Sequence, residues 1–404
     1  MPDQISVAVI GAGMAGRSHA AAYRNAGTLW GDALPEIRLA AIVDANAELG
    51  QDAARRYGYE KHYSSVEELA DDESIDAVSV VVGNDLHLPF SKLMLESGKH
   101  VLCEKPLAGS LADARAMAEL ERGTDLVTAT GYTYRRVAAV AAIKKRIEAG
   151  QLGDLSVIDG RYWCDYSCDP DGPLTWRYLG EPGSGALADI GTHLIDMLEN
   201  VLDARIVSVS GGSLRKAIPT RPIPLGVVTG HGKAEVSDER GEVTNEDSAF
   251  FVARFDSGVS ATISCSRTAF GMPNGMSFAI HGTTGSAAFD WHRPAEYTFN
   301  GHSGDSPTGP RQVIVGPNDP YFAGGYPMQA PANGAGNAES FAYQARAFLD
   351  QIVGLDEVPA CATWADGLHT LEVVDAVVRS DEAGGAVVDV EGDHGNATTD
   401  TPTN

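Results

Sequence analysis

The sequence predicts a doubly wound α/β domain followed by an α+β domain with an open, mostly antiparallel sheet. Three observations carry this expectation. Residues 5 to 130 alternate continuous Val/Ile/Ala runs with helical patterns, the signature of a parallel sheet buried on both faces. Beyond residue 150 the runs alternate apolar with polar positions and are separated by glycine-containing turns, as in a sheet with one solvated face. The chain has 404 residues, 43% of them hydrophobic, enough for two cores. The boundaries follow the change of pattern: 1–135 for the first domain, 136–390 for the second, and a disordered tail over 391–404.

The strands of the first domain read ISVAVIG, IRLAAIVD, AVSVVVG, HVLCEKP and LVTATGY, with helical segments at Asn46 to Tyr57, His87 to Ser97 and Leu111 to Arg122. At the end of the first strand and the start of a helix stands GAGMAG, with Gly11, Gly13 and Gly16. Such a pattern is weak by itself, but this position gives each glycine a task. The first allows the tight turn, the second lets backbone approach a pyrophosphate, and the helix amino terminus, at Met14 and Ala15, offers free N–H groups. The domain therefore reads as a Rossmann domain.

Asp44 ends the second strand, where a carboxylate accepts hydrogen bonds from ribose hydroxyls and repels a 2′-phosphate, so NAD is expected over NADP. Its separation from the glycines exceeds the usual ~20 residues, and the insertion TLWGDALPE, Thr28 to Glu36, accounts for the excess. Ligands of open α/β sheets bind at the carboxyl ends of the strands. Asn84 and His87 of GNDLH stand at one such end, Glu104 and Lys105 of CEKP at the next. Pro106 biases Lys105 towards an extended backbone that projects its side chain into the crevice.

After a helix around Val137 to Ala149, the second domain reads LSVIDGRYWC, RIVSVSGGSL, SAFFVARFDSG, VSATISCSRT, MSFAIHG and GSAAFDW. A helix beginning near Leu187 interrupts the strands, and Ala338 to Val353 and Ala365 to Arg379 read as closing helices. The Gly/Pro-rich tracts Pro219 to Asn245 and His302 to Gly336 are expected to be long surface loops that line a site or contact another subunit.

Composition excludes several classes of function. The 55 acidic residues against 30 basic give a net charge of −25, and the one basic cluster, Arg135, Arg136, Lys144, Lys145 and Arg146, is short, so no nucleic-acid partner is expected. The five cysteines are odd in number and scattered, and only Cys164 and Cys168 approach ligand spacing with no histidine to follow, so reduced thiols and no metal are expected. The amino terminus enters a strand without a signal-like segment, and no run approaches 18 apolar residues. A cytoplasmic protein without membrane contact is the expectation.

One helix carries more than core. In GALADIGTHLID, at 100° per residue, Asp189, His193, Asp196 and Asn200 fall in one narrow wedge, while Leu187, Ile190, Leu194, Met197, Leu198 and Val201 occupy a separate arc. Asp189 and His193 are i and i+4 neighbours, so the carboxylate can orient the imidazole and raise its proton affinity. Helix geometry alone favours a solvated ion pair. The small residues Gly183 to Ala186 before it shift the reading towards a site, because they permit close approach by a ligand or the other domain.

GAGMAG with His19, Asp44, GNDLH, CEKP, YTYRR (Tyr132 to Arg136) and GALADIGTHLID, in this order, resemble the glucose-fructose oxidoreductase/inositol dehydrogenase/MocA (Gfo/Idh/MocA) family of NAD(P)-dependent dehydrogenases. The resemblance spans nearly the whole chain. PLTWRYLGEPGSGALADIGTHLIDM is most similar to the branch that oxidises levoglucosan, an anhydro-sugar, at ring carbon three. The resemblance implies Lys105, Asp189 and His193 as catalytic residues and Asn84, His87 and Glu104 as nicotinamide-side contacts. It offers Tyr132, Tyr134, Arg135, Trp176 and Arg177 for the sugar pocket. Gly83 and Thr133 depart from the family pattern, and the second bears on the substrate.

Secondary-alcohol oxidation needs a base near neutral pH and a cationic donor beside the developing alkoxide. His193 and Lys105 suit these roles in either order. The partner is then a small carbohydrate, and an open sheet face suits a homodimer or homotetramer. Oxidation of myo-inositol or another cyclitol, redox-assisted glycoside cleavage with bound NAD, and a non-catalytic dinucleotide or sugar sensor are the competing readings.

Overall fold

The computed structural model describes residues 2–226, 228, 234–301, 309–321 and 330–392. The first sheet is built from β1 (Gln4–Ile10), β2 (Glu36–Val43), β3 (Lys61–Tyr63), β4 (Ala77–Val80), β5 (His100–Cys103) and β6 (Thr128–Thr130). All its pairings are parallel, in the order β3-β2-β1-β4-β5-β6. The connecting helices are α1 (Met14–Ala26), α2 (Ala47–Tyr57), α3 (Val66–Ala70), α4 (His87–Glu96) and α5 (Leu111–Arg122). Strand order reverses between β1 and β4, and that switch point opens the crevice into which ligands of such sheets bind. The edge strand β3 has no apolar run and is absent from the sequence reading; it forms because β2 offers it an unpaired edge.

The helix α6 (Ala138–Glu148) leads to the second sheet. Its strands are β7 (Leu155–Trp163), β8 (Ile206–Arg215), β11 (Ser248–Phe255), β12 (Ser260–Ser266), β13 (Gly275–Gly282), β14 (Gly285–Asp290), β15 (Glu296–Gly301), β16 (Arg311–Ile314) and β17 (Val388–Asp389). The order is β16-β15-β14-β13-β7-β12-β11-β8-β17, and β7 with β12 is its single parallel pair. On β11 buried and exposed residues alternate, with Ala249, Phe251, Ala253 and Phe255 turned inward. The helix α7 (Thr192–Leu202) covers the inner face, where Leu194 and Leu198 lie over Gly160 of β7.

Two expected loops contain strands. Within 219–245, β9 (Thr220–Pro224) and β10 (Val236–Glu242) form an antiparallel ribbon; within 302–336, β16 pairs with β15. Proline concealed β9 (TRPIP), because an edge tolerates the prolines that a central strand excludes, and β16 (RQVI) is a short edge strand in a Gly/Pro-rich tract. The remainder of each tract includes positions outside the described residues, as does the expected tail beyond Gly392.

The closing helices α8 (Asn337–Val353) and α9 (Trp364–Glu382) are not confined to the second sheet. Helix α8 packs on α1, and α9 packs on α5 as well as on β8. The start of α9 is docked on the edge of the first sheet: Trp364 is fully buried and its indole N–H donates to the Ala129 carbonyl (3.1 Å). Glu121 of α5 accepts the backbone N–H groups of Trp364 and Ala365 at 2.8 and 2.9 Å. These contacts fix the two domains relative to one another. Among the described residues no helix is long and apolar enough to cross a membrane.

Candidate active site

The glycine turn has the geometry its spacing predicts. Gly11 has φ +102°, and a Cβ there would stand 2.0 Å from the Val81 carbonyl oxygen; one on Gly16 would stand 1.9 Å from the Gly11 carbonyl oxygen. These two glycines close the turn and seat α1 on it. A Cβ on Gly13 would meet nothing within 4 Å, so the space beside it is open to a ligand. Gly13, Met14 and Ala15 line a cavity of about 650 Å³ that continues past Asn84, Glu104 and Lys105 to Asp189 and His193. Asp44 accepts the N–H of Ala12 at one carboxylate oxygen and that of Asn46 at the other, both at 2.8 Å, and so stands fixed beside the turn. A carboxylate has further lone pairs for ribose hydroxyls. The turn, the open space at Gly13 and the fixed carboxylate together fit NAD.

At the tips of β4 and β5 the expectations divide. Asn84, in a short 3-10 turn, and Glu104 line the cavity. His87 does not: it is 1% exposed, with Nδ1 at 3.0 Å from the Pro106 carbonyl and Nε2 at 3.3 Å from that of Val82. Burial holds its pKa down, and it braces the two strand-end loops instead of touching a nicotinamide. Glu104 is buried and paired with His19 (Nε2 to Oε1, 2.9 Å), whose Nδ1 meets the Ser79 hydroxyl at 3.1 Å. Burial alone would raise the Glu104 pKa, but the hydrogen bond and charge of His19, with Lys105, outweigh it and hold the carboxyl below its usual value.

Lys105, joined to Pro106 by a cis peptide, crosses from the first domain to the second. Its Nζ donates to the Asp189 backbone carbonyl at 2.7 Å and lies 3.3 Å from Oδ1 of the same residue. Asp189 does not sit in a regular α-helix. Residues Leu187–Gly191 form a single π-helical turn, closed by the Thr192 N–H on the Leu187 carbonyl, before α7 begins. Single π-turns of this kind are frequent at functional sites. The turn is capped by the buried Glu246, whose carboxylate accepts the N–H groups of Gly183 and Leu187 at 2.9 Å each. A Cβ on Gly185 would stand 2.1 Å from the Glu246 carbonyl oxygen, so the small residues of GSGA admit this strand-bound segment.

The expected pairing of Asp189 with His193 is therefore replaced. The Asp189 carboxylate accepts from Tyr166 (Oη to Oδ2, 2.7 Å) as well as Lys105, and Arg177 Nη1 stands 3.7 Å from Oδ1. His193 is 8% exposed, and its buried Nδ1 has no hydrogen-bond partner among the described residues. Its orientation comes from packing: the rings of Tyr134, Tyr132 and Tyr162 surround it at centroid distances of 4.9, 6.0 and 6.3 Å. Burial, then the Lys105 charge, push the His193 pKa well below 6.5, against a smaller opposite effect of Asp189. The imidazole is neutral at neutral pH.

Three residues expected in the sugar pocket lie behind it. Tyr132 is 1% exposed with its hydroxyl against Thr370, and the Tyr134 hydroxyl meets that of Tyr162 at 2.8 Å. Arg135 grips buried Asp196 through Nε and Nη2 and faces Asp366 at 3.3 Å. Adjacent residues in YTYRR cannot all face one cavity, and a pairwise reading of residue types does not say which do. Thr133, the departure from the family pattern, does line the cavity, as do Trp176 and Arg177. Trp176 is 59% exposed at the rim with the Arg177 guanidinium 4.5 Å above its ring. The sequence reading missed Tyr166, Arg267, Asn274 and, on α8, Phe341. The sequence carries no signal for the first two: they come together because β7 and β12 pair in parallel and end at Trp163 and Ser266, so the residues just past both strands emerge at one edge.

This arrangement defines an NAD-dependent oxidoreductase with a polar second pocket beside the cofactor site. The oxidoreductase-family model with an NAD-binding Rossmann fold matches residues 5–132, and the GFO/IDH/MocA C-terminal domain model matches residues 140–288. The chain belongs to the Gfo/Idh/MocA family. It is 35% identical over 384 residues to a levoglucosan dehydrogenase of Pseudarthrobacter phenanthrenivorans, covering 94% of this chain and 96% of that one. It is 28% identical to a scyllo-inositol 2-dehydrogenase (NAD(+)) of Bacillus subtilis, over 66% of this chain and 69% of that one. A solved levoglucosan dehydrogenase in complex with NADH and levoglucosan superposes with a TM-score of 0.86 at 32% identity, covering 96% of this chain and all of that one.

The buried pair behind the site gives a stability expectation. Arg135→Met leaves Asp196 without its guanidinium in a site where burial already pushes that carboxyl up to about 6. The loss is about 3 kcal/mol, read as a lower urea midpoint at unchanged slope; a midpoint equal to wild type would show that Asp196 does not depend on Arg135.

Proposed function

We propose that the protein oxidises a secondary hydroxyl, at ring carbon three, of levoglucosan or a closely related sugar or cyclitol. The observation that carries this reading is the meeting, in one cavity, of the Lys105 ammonium held by Asp189 and a neutral His193, next to a glycine turn that fits NAD. Bound NAD⁺ supplies the hydride acceptor. A polyol rather than an apolar alcohol is favoured by the rim of Trp176 and Arg177 and by Asn274, Tyr166 and Thr133 on the walls.

In this reading the neutral imidazole of His193 takes the hydroxyl proton, as a base of depressed pKa can at neutral pH. Lys105 donates a hydrogen bond to the same oxygen and stabilises the charge that develops on it. Asp189 keeps Lys105 aimed, and Tyr166 keeps Asp189 aimed. Burial, then Asp189, raise the Tyr166 pKa well above 10, so its hydroxyl remains a donor throughout the working range. The familiar arrangement in which a carboxylate orients the histidine is not needed: three aromatic rings do so.

The subunits are proposed to associate through the outer face of the second sheet. That face exposes Val157, Phe250 and Val252 at 58, 42 and 38%. A cytoplasmic location is supported by the five free cysteines, which suit a reducing compartment.

NAD⁺ reduction with levoglucosan, myo-inositol, glucose and aryl glucosides tests the substrate. NADH is expected to appear one for one with ketone, and cleavage of the aryl glucosides without net NADH would establish the redox-assisted reaction instead. Lys105→Met, Asp189→Asn and His193→Asn should each lose roughly 10²-fold or more in kcat, and near wild-type turnover in all three removes the assignment. The group that must be neutral has its folded pKa lowered, so it stays unprotonated as pH falls through 6.5. The acid limb of kcat/KM is therefore expected below pH 6.5, and a limb above that value would make His193 the wrong base. Light scattering should show a dimer or tetramer that Val252→Glu dissociates; a monomeric wild type would refute the interface.

A further inference from the structure

Residues 167–180, which carry Trp176 and Arg177 into the cavity wall, contain one short helical turn, Trp176–Tyr178, and few backbone hydrogen bonds of their own, so most of their backbone groups need partners from outside the segment. The β9–β10 ribbon, in the tract expected to be a loop, holds the backbone of 167–174, while the Thr244 N–H on the Tyr178 carbonyl (2.9 Å) and the Asn245 side chain on the Arg177 carbonyl (3.1 Å) hold the part that follows. Arg221 of β9 is 1% exposed. Its Nη1 donates to the Asp169 carbonyl at 2.7 Å and its Nη2 to the Ser167 carbonyl at 2.6 Å. Its guanidinium also lies 4.0 Å from the centroid of the Tyr178 ring. Beside it, the Leu174 N–H donates to the Pro222 carbonyl (2.8 Å), and Arg240 of β10 donates to the Pro170 carbonyl (2.6 Å).

A second guanidinium adds to the grip. Arg267 lies 4.7 Å from the centroid of the same Tyr178 ring, is held by buried Asp247 at 2.9 Å, and donates to the Arg177 carbonyl at 2.8 Å. The Tyr178 hydroxyl meets that of Ser167 at 3.0 Å, which ties the two ends of the segment together. Arg267 lines the cavity and Arg221 does not. A planar guanidinium suits this task because it stacks on an aromatic face while its fork donates to two carbonyls; an ammonium cannot do both.

We propose that Arg221 is a positioning residue for the sugar pocket: through Ser167, Asp169 and Tyr178 it sets the wall that presents Trp176 and Arg177 opposite Lys105 and Asp189. This deepens the reading of the protein as a sugar dehydrogenase and rests on it. The glycine turn lies on the other domain and owes nothing to the ribbon, so substrate binding and cofactor binding should separate. Pre-ordering this wall spares the substrate the entropy of ordering it, which would otherwise appear in KM.

The test compares Arg221→Met and Arg221→Lys with wild type in three measurements: steady-state kinetics on the sugar that wild type turns over, NADH affinity by fluorescence, and hydrogen exchange of amides 167–180. Arg221→Met is expected to raise the sugar KM about tenfold with kcat changed less than about threefold, leave NADH affinity unchanged and speed exchange in 167–180 alone. Arg221→Lys should fall between. A folded Arg221→Met with wild-type KM, or with wild-type exchange in the segment, overturns the proposal. Should Arg221→Met fail to fold, Tyr178→Leu must give the same KM and exchange pattern or the proposal fails. If wild type oxidises no sugar at all, the functional reading falls, and hydrogen exchange alone decides whether Arg221 holds the wall.

Discussion

The contact between Lys105 and Asp189 joins the tip of a strand in one domain to the first turn of a helix in the other, and the arrangement of charge in the cavity depends on it. Two bonds define it, 2.7 Å to the backbone carbonyl and 3.3 Å to the carboxylate. The same ammonium acts on His193, helping burial to keep the imidazole neutral. One charge thus bears on both groups that the proposed reaction uses. In a partly buried cavity such an effect is far less screened than at the surface.

Holding that contact requires rigid domains, and buried charge supplies the rigidity behind the site. Arg135 bridges Asp196 on α7 to Asp366 at the start of α9, where Arg205 also pairs with Asp366 and Glu199. His369 of α9 meets Glu199 at 2.8 Å; burial opposes its charge, but Glu199 and Glu372 push its pKa up to about 9. Since α9 is also anchored to the first sheet through Trp364, displacing α7 from the Rossmann domain would expose several unpaired charges at once. The steep cost of uncompensated buried charge is what makes such a network resist displacement.

Much of this was legible in residue types and order. The glycines, Asp44, Asn84, Glu104 and Lys105 stand where the alternation of strands and helices puts the crevice, because a parallel sheet presents its carboxyl ends at one edge. Tyr132, Tyr134, Arg135 and His87 were legible as residues near the site but not in their tasks. Each was assigned to a ligand and each turned out to brace a neighbour, since a short run such as YTYRR has no periodicity that tells the cavity side from the buried side. The ribbon was hidden for a different reason: its importance lies in contacts with a segment some fifty positions away in the chain, between Arg221 and Ser167 and Asp169.

The sequence by itself determined the local geometry: the turn at Gly11, the polar residues at the strand ends, and the separation of Asp189 and His193 from the core arc of their helix. These follow from sterics and periodicities of a few residues. Only the tertiary structure decided which partner Asp189 takes. On an ideal helix the neighbour is His193, but the π-turn over Leu187–Gly191, closed against Glu246, goes with a carboxylate that meets Lys105 and Tyr166 instead. Those groups arrive from another domain and from the turn after β7, and hydrogen bonding between residues so far apart in the chain depends on the packing of the whole fold.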